Sequence, residues 1–332
     1  MLRYFFLVII TINLLFVVGL TAITLEKGSE GLNIALELLE DSGEKLPVII
    51  VLKDQVDPDT HYQSVKDLPK SERRKLTIER LKSHSAATQS ELRKALDKLQ
   101  NDKKVAKVKY FWISNIISAD ASLEALKVLD KRNDIERIEY DPEVKVIDDL
   151  EQNSELIPSD LDGSERAHIW NIEQMQVPEV WDLGISGGGV LVGVFDTGIN
   201  YNHNDIRERM WLHPDYPNNG WDFFDEDDDP MDIYDHGTHC AGSVAGDGTS
   251  GIQTGIAPKS NIMALKTTSD RGDSQQHVVW NAIEFALDHG VDVFSMSLGW
   301  YQTMNVAFKT WRDIMVNVLS AGVPASLSAG NE

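Results

Sequence analysis

The sequence predicts an α/β protein, in which a doubly wound parallel sheet over residues 166–332 follows a smaller α+β domain over residues 46–147. Apolar, strand-like runs alternate with helical patterns throughout the second part, which is typical of parallel sheets with helices on both faces. The first part instead has charged helical patterns between strand-like runs. Between the two parts, residues 148–165 are acidic and poor in large apolar side chains, which predicts an exposed linker open to proteolysis.

The composition limits the classes of partner. The chain has 332 residues, enough for two domains, and a formal net charge of −22. Nucleic acids and anionic membrane surfaces repel such a protein, so neither is an expected partner. The single cysteine, Cys240, excludes an internal disulfide. We therefore expect a large core, bound ions or both to stabilise the chain.

The N-terminus has the pattern of a secretory signal peptide. One positive charge at Arg3 precedes an almost wholly apolar run over residues 4–20, and the small residues Thr21 and Ala22 follow. The pattern predicts a signal peptide over residues 1–22 and a secreted, extracellular protein with no stable membrane association. An uncleaved membrane anchor is the alternative, because the apolar run approaches the length that spans a bilayer.

The elements of the first domain follow from the hydrophobic pattern. Residues 23–45 are polar and unpatterned, which predicts a lead-in. The pattern then predicts a strand at 46–52, a helix at 70–101, a strand at 105–117, a helix at 122–132 and a strand at 135–146. This order indicates a small split α+β sandwich, ferredoxin-like if the middle segment hides another strand.

The second domain begins its sheet with the continuously apolar run Val190–Phe195, as expected for a parallel strand covered on both faces. Helices and strands then alternate: a helix at 236–246, a strand at 261–266, a helix at 274–289, a strand at 291–297, a helix at 304–319 and a strand at 323–328. Ligands bind at the carboxyl ends of such strands. Asp196, Ser297 and Asn331 all fall at or just after such ends, so we expect them at one edge of the sheet.

Asp196 and His236 are candidates for a catalytic pair. Asp196 precedes Thr197-Gly198, where taken alone it is a turn or helix-capping aspartate. His236 begins a predicted helix rich in small residues. An aspartate that orients a histidine, and a histidine that takes a proton, are two of the three parts of a nucleophilic hydrolase. His236 and His239 are three residues apart, whereas the helical zinc motif needs a spacing of four with an intervening glutamate, so we interpret His239 as structural.

Several motifs in order resemble those of the subtilisin-like serine proteases. They are Asp196-Thr197-Gly198, His236-Gly237-Thr238-His239-Cys240-Ala241-Gly242, Gly255-Ile256-Ala257-Pro258, Ser297-Leu298-Gly299 and Ala329-Gly330-Asn331-Glu332. The aspartate precedes the histidine, which is the subtilisin order. The resemblance covers residues 168–332 and implies a secreted serine endopeptidase. The domain at 46–147 is similar to the inhibitory propeptide of these enzymes in position and size, which implies synthesis as a zymogen.

The resemblance also implies residue roles. Asp196 would orient the imidazole, His236 would act as general base and then general acid, and Asn331 would donate its side-chain amide to the oxyanion. A polypeptide substrate would bind as an added strand between two strand edges. The implied edge residues are Ser297, Leu298, Gly299, Leu327, Ser328 and Ala329. The implied partners are polypeptide substrates and the protein's own propeptide, and no organic cofactor is expected.

The nucleophile of the family lies in a Gly-Thr-Ser-Met-Ala type motif downstream of the oxyanion asparagine. The sequence ends one residue after Asn331, and Ser250, in Gly248-Thr249-Ser250-Gly251, lies upstream in a predicted loop. We therefore expect a protease fragment with an incomplete sheet that cannot hydrolyse peptides as it stands. The alternative is a non-catalytic binding or inhibitory protein built on a propeptide-like domain.

An acidic loop precedes His236. Its alternating acids suggest calcium, but Pro230 stands where an EF-hand requires glycine and no glutamate closes the loop. A solvated charged loop is the simpler interpretation. Similar loops bind calcium in some subtilases, and the resemblance implies Asp222, Asp227 and Asp229 as ligands of a structural calcium ion.

Overall fold

The computed structural model describes residues 24–38, 44–147, 167–301 and 305–330. The predicted signal peptide, the acidic linker and Asn331 lie outside the described residues. Within the described ranges, no helix combines the length and the apolar character needed to cross a bilayer.

The described residues contain ten α-helices and thirteen strands. The helices are α1 (Glu30–Leu38), α2 (Pro58–Val65), α3 (Lys70–Thr88), α4 (Ser90–Asn101), α5 (Leu123–Asp130), α6 (Trp170–Gln174), α7 (Val177–Asp182), α8 (His236–Ala245), α9 (Gln276–Asp288) and α10 (Phe308–Ser320). The strands are β1 (Lys45–Leu52), β2 (Val105–Tyr110), β3 (Ile116–Ser122), β4 (Ile135–Tyr140), β5 (Val144–Lys145), β6 (Ala167–His168), β7 (Leu191–Asp196), β8 (Gly220–Asp222), β9 (Ile252–Gln253), β10 (Asn261–Lys266), β11 (Asp273–Ser274), β12 (Val293–Met296) and β13 (Ala325–Leu327).

The first domain is built on an antiparallel sheet with the strand order β2-β3-β1-β4. The single strand predicted over 105–117 is wrong, because residues 111–115 form the turn of a β2-β3 hairpin. The unpatterned lead-in predicted over 23–45 is also wrong: Leu25, Leu32 and Leu36 enter the core, the last two from α1. Its short apolar spacing was obscured by the polar residues around it.

The second domain has a parallel sheet of five strands in the order β13-β12-β7-β10-β8. Ala241 and Ala245 of α8 pack with Val192 and Val194 on one face of the sheet. Helices α9 and α10 pack on the other face, around Phe195 and Phe294. The prediction of a parallel sheet with helices on both faces is therefore confirmed.

The two domains share one apolar core. Side chains alternate along β1, so that Val48 and Ile50 face the helices of the first domain while Ile49 and Val51 pack in the cluster of α9 and α10. Burial on both faces explains why this strand is continuously apolar. The sheet of the first domain thus lies between helices α1, α4 and α5 on one face and the cluster of α9 and α10 on the other.

Candidate active site

Asp196 and His236 form a hydrogen-bonded pair at the carboxyl end of β7. His236 Nδ1 lies 2.6 Å from Asp196 Oδ1, and the two side chains are 13% and 1% exposed. Asp196 is the last residue of β7 and His236 the first residue of α8, so the end of a strand and the start of a helix meet here. The contact gives His236 an orienting carboxylate on one nitrogen and leaves Nε2 for chemistry.

Two glycines allow this close approach. A Cβ on Gly237 would lie 2.0 Å from the Gly198 oxygen and 3.0 Å from Asp196 Cβ. Gly198 has φ +104°, and a Cβ there would lie 2.5 Å from the Pro230 oxygen. Because any larger residue would push helix α8 away from the turn, the small residues of the two motifs set the distance between Asp196 and His236.

The environment of His236 favours its charged form. Burial lowers its pKa, but the hydrogen bonds to Asp196 and Cys240 and the negative charge of Asp196 outweigh burial and raise the pKa from 6.5 to about 10. Cys240 Sγ lies 3.9 Å from Nδ1, one helical turn along α8. The pair therefore stabilises an imidazolium, which is the form that a histidine base takes after accepting a proton.

Asp232 is a residue of this site that the sequence patterns do not reveal. It is buried, and its two oxygens accept hydrogen bonds from Thr197, Tyr234, Asp235 and Thr238. These donors belong to the turn after Asp196 and to the start of α8. Its position as the last acid of the acidic loop made it look solvated, and only its place four residues before a predicted helix start hinted at a cap.

Residues 144–147 of the first domain form an added strand along the edge of the sheet that holds Asp196 and His236. Val144 and Lys145 pair antiparallel with β11. Val146 then donates its N–H to the Gly272 oxygen at 2.9 Å and accepts from Gly299 N–H at 3.0 Å. The segment is thus bound through main-chain bonds from both sides, in the manner of β-strand addition.

A model of the subtilase family matches residues 187–332. Thermitase from Thermoactinomyces vulgaris is 36% identical over 129 residues, which are 38% of this chain and 43% of thermitase. Subtilisin from Bacillus pumilus is 33% identical over 164 residues, 49% of this chain and 55% of that protein. The minor extracellular protease Vpr of Bacillus subtilis is 33% identical over 162 residues, 46% of this chain and 19% of that protein.

Residues 187–332, which we call the subtilase segment, are thus similar to the subtilase family over less than half of this chain. The chain spans about half the length of thermitase and of the Bacillus pumilus subtilisin. A crystal structure of a cold-adapted subtilisin-like serine proteinase aligns with 30% identity and a TM-score of 0.36, over 44% of this chain and 48% of that one. The parallel sheet is established by the strand pairing of this chain alone.

The subtilase segment brings some of the predicted substrate residues together and not others. Gly299 contacts the added strand directly, and Leu298 is buried beneath it in the shared core. Ser328 donates its N–H to the Met296 oxygen and its hydroxyl to the Leu298 oxygen, while Leu327 is exposed. Ser297 is half-buried, and Ala329 is exposed. The role of Leu327, Ser328 and Ala329 as a substrate edge stays a prediction. The opposite edge, residues 272–274, carries no sequence motif from which its role could be predicted.

The acidic loop of the subtilase segment does not present its three predicted calcium ligands together. Asp222 is buried, and its Oδ2 lies 3.0 Å from Lys266 Nζ, an ammonium that already supplies the positive charge. Asp227 accepts the N–H of Asp229 at 3.0 Å, and Asp229 accepts the Tyr201 hydroxyl at 2.7 Å. As placed, the three carboxylates do not fit a single calcium ligand set, and calcium binding by this loop stays a prediction.

Proposed function

We propose that this chain belongs to a secreted serine endopeptidase of the subtilisin type, made as a zymogen whose N-terminal domain occupies its own substrate cleft. The observation that carries the proposal is the added strand at residues 144–147, bound between Gly272 and Gly299 on the edge of the sheet that holds Asp196 and His236. A polypeptide substrate would take the same place, because the contacts are to main-chain atoms that every peptide has.

The chemistry follows from the pair. With Nδ1 bonded to Asp196, His236 Nε2 would take the proton of a serine hydroxyl as its oxygen attacks the scissile carbonyl carbon. The imidazolium would then give that proton to the leaving amine, and water would release the acyl group by the same steps in reverse. The Asn331 amide would donate to the oxyanion, a bond that typically contributes about 3–4 kcal/mol to transition-state stabilisation.

The described contacts suit an inhibitory domain that is held firmly before cleavage. Glu284, in the middle of α9, is buried and accepts the N–H groups of Trp112 and Ile113 from the hairpin of the first domain. At the start of α9, the Asp141 carboxylate of the first domain lies 2.7 Å from His277 Nδ1. These polar anchors flank an apolar interface, so the first domain would leave only after the chain is cut and the interface opens.

The strand order β2-β3-β1-β4, in a chain order of β-α-β-β-α-β, supports the ferredoxin-like interpretation of this propeptide. Cleavage in the linker at 148–165 would separate the two domains. Val146 and Ile147 are 6% and 3% exposed in the cleft, so the adjoining subsites would hold aliphatic side chains of a substrate.

The test is expression of the full gene product and assay of peptide hydrolysis. We expect cleavage of unfolded protein substrates, labelling of a serine by an organophosphonate, and loss of both in His236→Ala. The mature N-terminus should map within the linker, and the product should appear in the medium without residues 1–22. Reading the DNA past Glu332 shows whether a nucleophile motif follows. Absence of hydrolysis and of serine labelling in the folded product would favour a non-catalytic binding protein instead.

Calcium is part of the proposal as a structural ion. Asp227 and Asp229 are exposed and close in sequence, so a small movement of the loop would let both bind one ion. A calcium titration followed by the melting temperature tests this, with Asp227→Asn as the comparison. Equal melting temperatures with calcium and with a chelator would remove the ion from the proposal.

A further inference from the structure

The carboxylate of Asp232 takes no part in the proposed hydrolysis, yet it lies beside the catalytic pair and accepts five hydrogen bonds. We propose that Asp232 is a positioning residue. It accepts the hydrogen bond of the Thr197 hydroxyl, so that this hydroxyl does not compete with His236 for the Asp196 carboxylate. Its relevance to catalysis rests on the proposed function, whereas its effect on His236 does not.

Asp232 is well placed for this role because it is rigidly held. It is 6% exposed, and its Oδ1 accepts the N–H groups of Tyr234 at 2.9 Å and Asp235 at 3.0 Å. Its Oδ2 accepts both the N–H and the hydroxyl of Thr238, at 2.8 and 2.6 Å. A buried carboxylate with this many hydrogen-bond donors is held in a fixed position. It therefore offers Thr197 a strong acceptor at a constant place.

The Thr197 hydroxyl has one proton and two acceptors within reach. Its Oγ1 lies 2.9 Å from Asp232 Oδ1 and 3.4 Å from Asp196 Oδ1. The Gly237 N–H donates to the same hydroxyl oxygen at 2.9 Å. The shorter distance assigns the proton to Asp232, and the lone pair then faces the start of α8. Thr197 thus links the turn after β7 to the start of α8, and its hydroxyl donates to Asp232 and not to the Asp196 carboxylate.

Asp196 Oδ1 already has two hydrogen-bond partners. Asp196 Oδ1 lies 2.6 Å from His236 Nδ1 and accepts the Thr197 N–H at 2.8 Å. Each further donor stabilises the negative charge of a carboxylate and makes it a weaker acceptor. If Asp232 offered no acceptor, the Thr197 hydroxyl would turn to Asp196 Oδ1 as a third donor. The bond to His236 would weaken, and the pKa of His236 would fall.

The experiment measures the pKa of His236 by NMR in the chain with ¹³C-labelled histidine, using His236→Gln for assignment. In the wild type we expect a pKa of about 10. Asp232→Leu removes the acceptor, fills the space against water, and should lower the pKa of His236 by about one unit or more. Asp232→Asn removes the charge but keeps one acceptor oxygen for Thr197, so it should stay within about half a unit of the wild type.

Thr197→Val distinguishes a positioning role of Asp232 from a purely structural role of its hydrogen bond to Thr197. This variant also tests the proposal if Asp232→Leu does not fold. The variant removes the competing hydroxyl, so the pKa of His236 should stay at the wild-type value. A fall in Thr197→Val would overturn the proposal, because the bond to Asp232 would then matter only as a brace. An unchanged pKa in folded Asp232→Leu, or an equal fall in Asp232→Asn, would overturn it too.

These measurements need no peptidase activity, so they are independent of the proposed function. If the full gene product hydrolyses peptides, Asp232→Leu should lower kcat more than Asp232→Asn and leave KM nearly unchanged, since substrate does not touch this carboxylate. If the product has no activity, the NMR result still decides the positioning role.

Discussion

Replacing Glu284 by glutamine should remove a pH dependence from the stability of this protein. Burial raises the pKa of Glu284 from 4.5 to about 8, more than the bonds from Ile113 and Trp112 and the charge of Lys82 lower it. The folded protein therefore binds a proton that the unfolded chain releases between about pH 4.5 and 8. The contribution is fully present below pH 4.5 and is lost as the pH rises through about 8.

The size follows from linkage. One proton changes the free energy of unfolding by at most about 1.4 kcal/mol per pH unit, so the wild type should lose about 3 kcal/mol between pH 5 and 7.5 through this group. Glutamine keeps the oxygen that accepts the two N–H groups and has no titration. Glu284→Gln should therefore match the wild type at low pH and exceed it at pH 7.5 and above.

Urea unfolding at half-unit pH intervals measures this difference. Glu79→Gln is the matched control, because Glu79 is 61% exposed in a surface pair with Lys75, and its curve should run parallel to that of the wild type. Parallel curves for the wild type and Glu284→Gln would refute the reasoning, since they would mean that Glu284 releases its proton equally in both states.

Three further substitutions test the site. Asp196→Asn should lower the pKa of His236 from about 10 towards 6.5, seen by histidine NMR, and an unchanged value would contradict the role of the pair. Gly237→Ala puts a Cβ 2.0 Å from a backbone oxygen of the facing turn, so it should cost about 1–3 kcal/mol in urea unfolding and abolish the low-field proton of the His236 bond. Lys266→Met removes the cation of the buried Lys266–Asp222 ion pair, whose side chains are 6% and 2% exposed, and should lower the free energy of unfolding by about 3–5 kcal/mol. Adding Asp222→Asn should recover part of that loss, and purely additive losses would argue against the pair.

The Asp196–His236 pair could be predicted because its signals are local. Asp196 ends an apolar strand, and the small residues after His236 have no better explanation than close packing. The parallel sheet was also predictable, since strands covered on both faces have a continuous apolar pattern. In each case the burial that determines the structure leaves its mark on neighbouring residues.

Other features depend on contacts between distant residues and leave no such mark. The hairpin turn at 111–115 contains Trp112 and Ile113, apolar residues that face the second domain and so hide the turn. Residues 272–274 matter because Val144 and Lys145 pair with them, more than a hundred residues earlier in the chain. Asp232 looks like any other acid of its loop until the fold places five donors around it.

The helix starts of the second domain show why the first domain belongs to the same folding unit. The side chain of Gln275, the residue before α9, does not cap this helix, and Asp141 of the first domain accepts the Gln276 N–H at 3.0 Å. The Gln276 side chain in turn accepts the Ala307 N–H at the start of α10, at 2.8 Å, while its amide donates to Asp141 at 3.3 Å. A buried N–H left without a partner costs about 1–3 kcal/mol, and net stabilities are only about 5–15 kcal/mol. Both helices that pack under the first domain thus depend on one carboxylate from it, which is a physical reason for the second domain to fold in its presence.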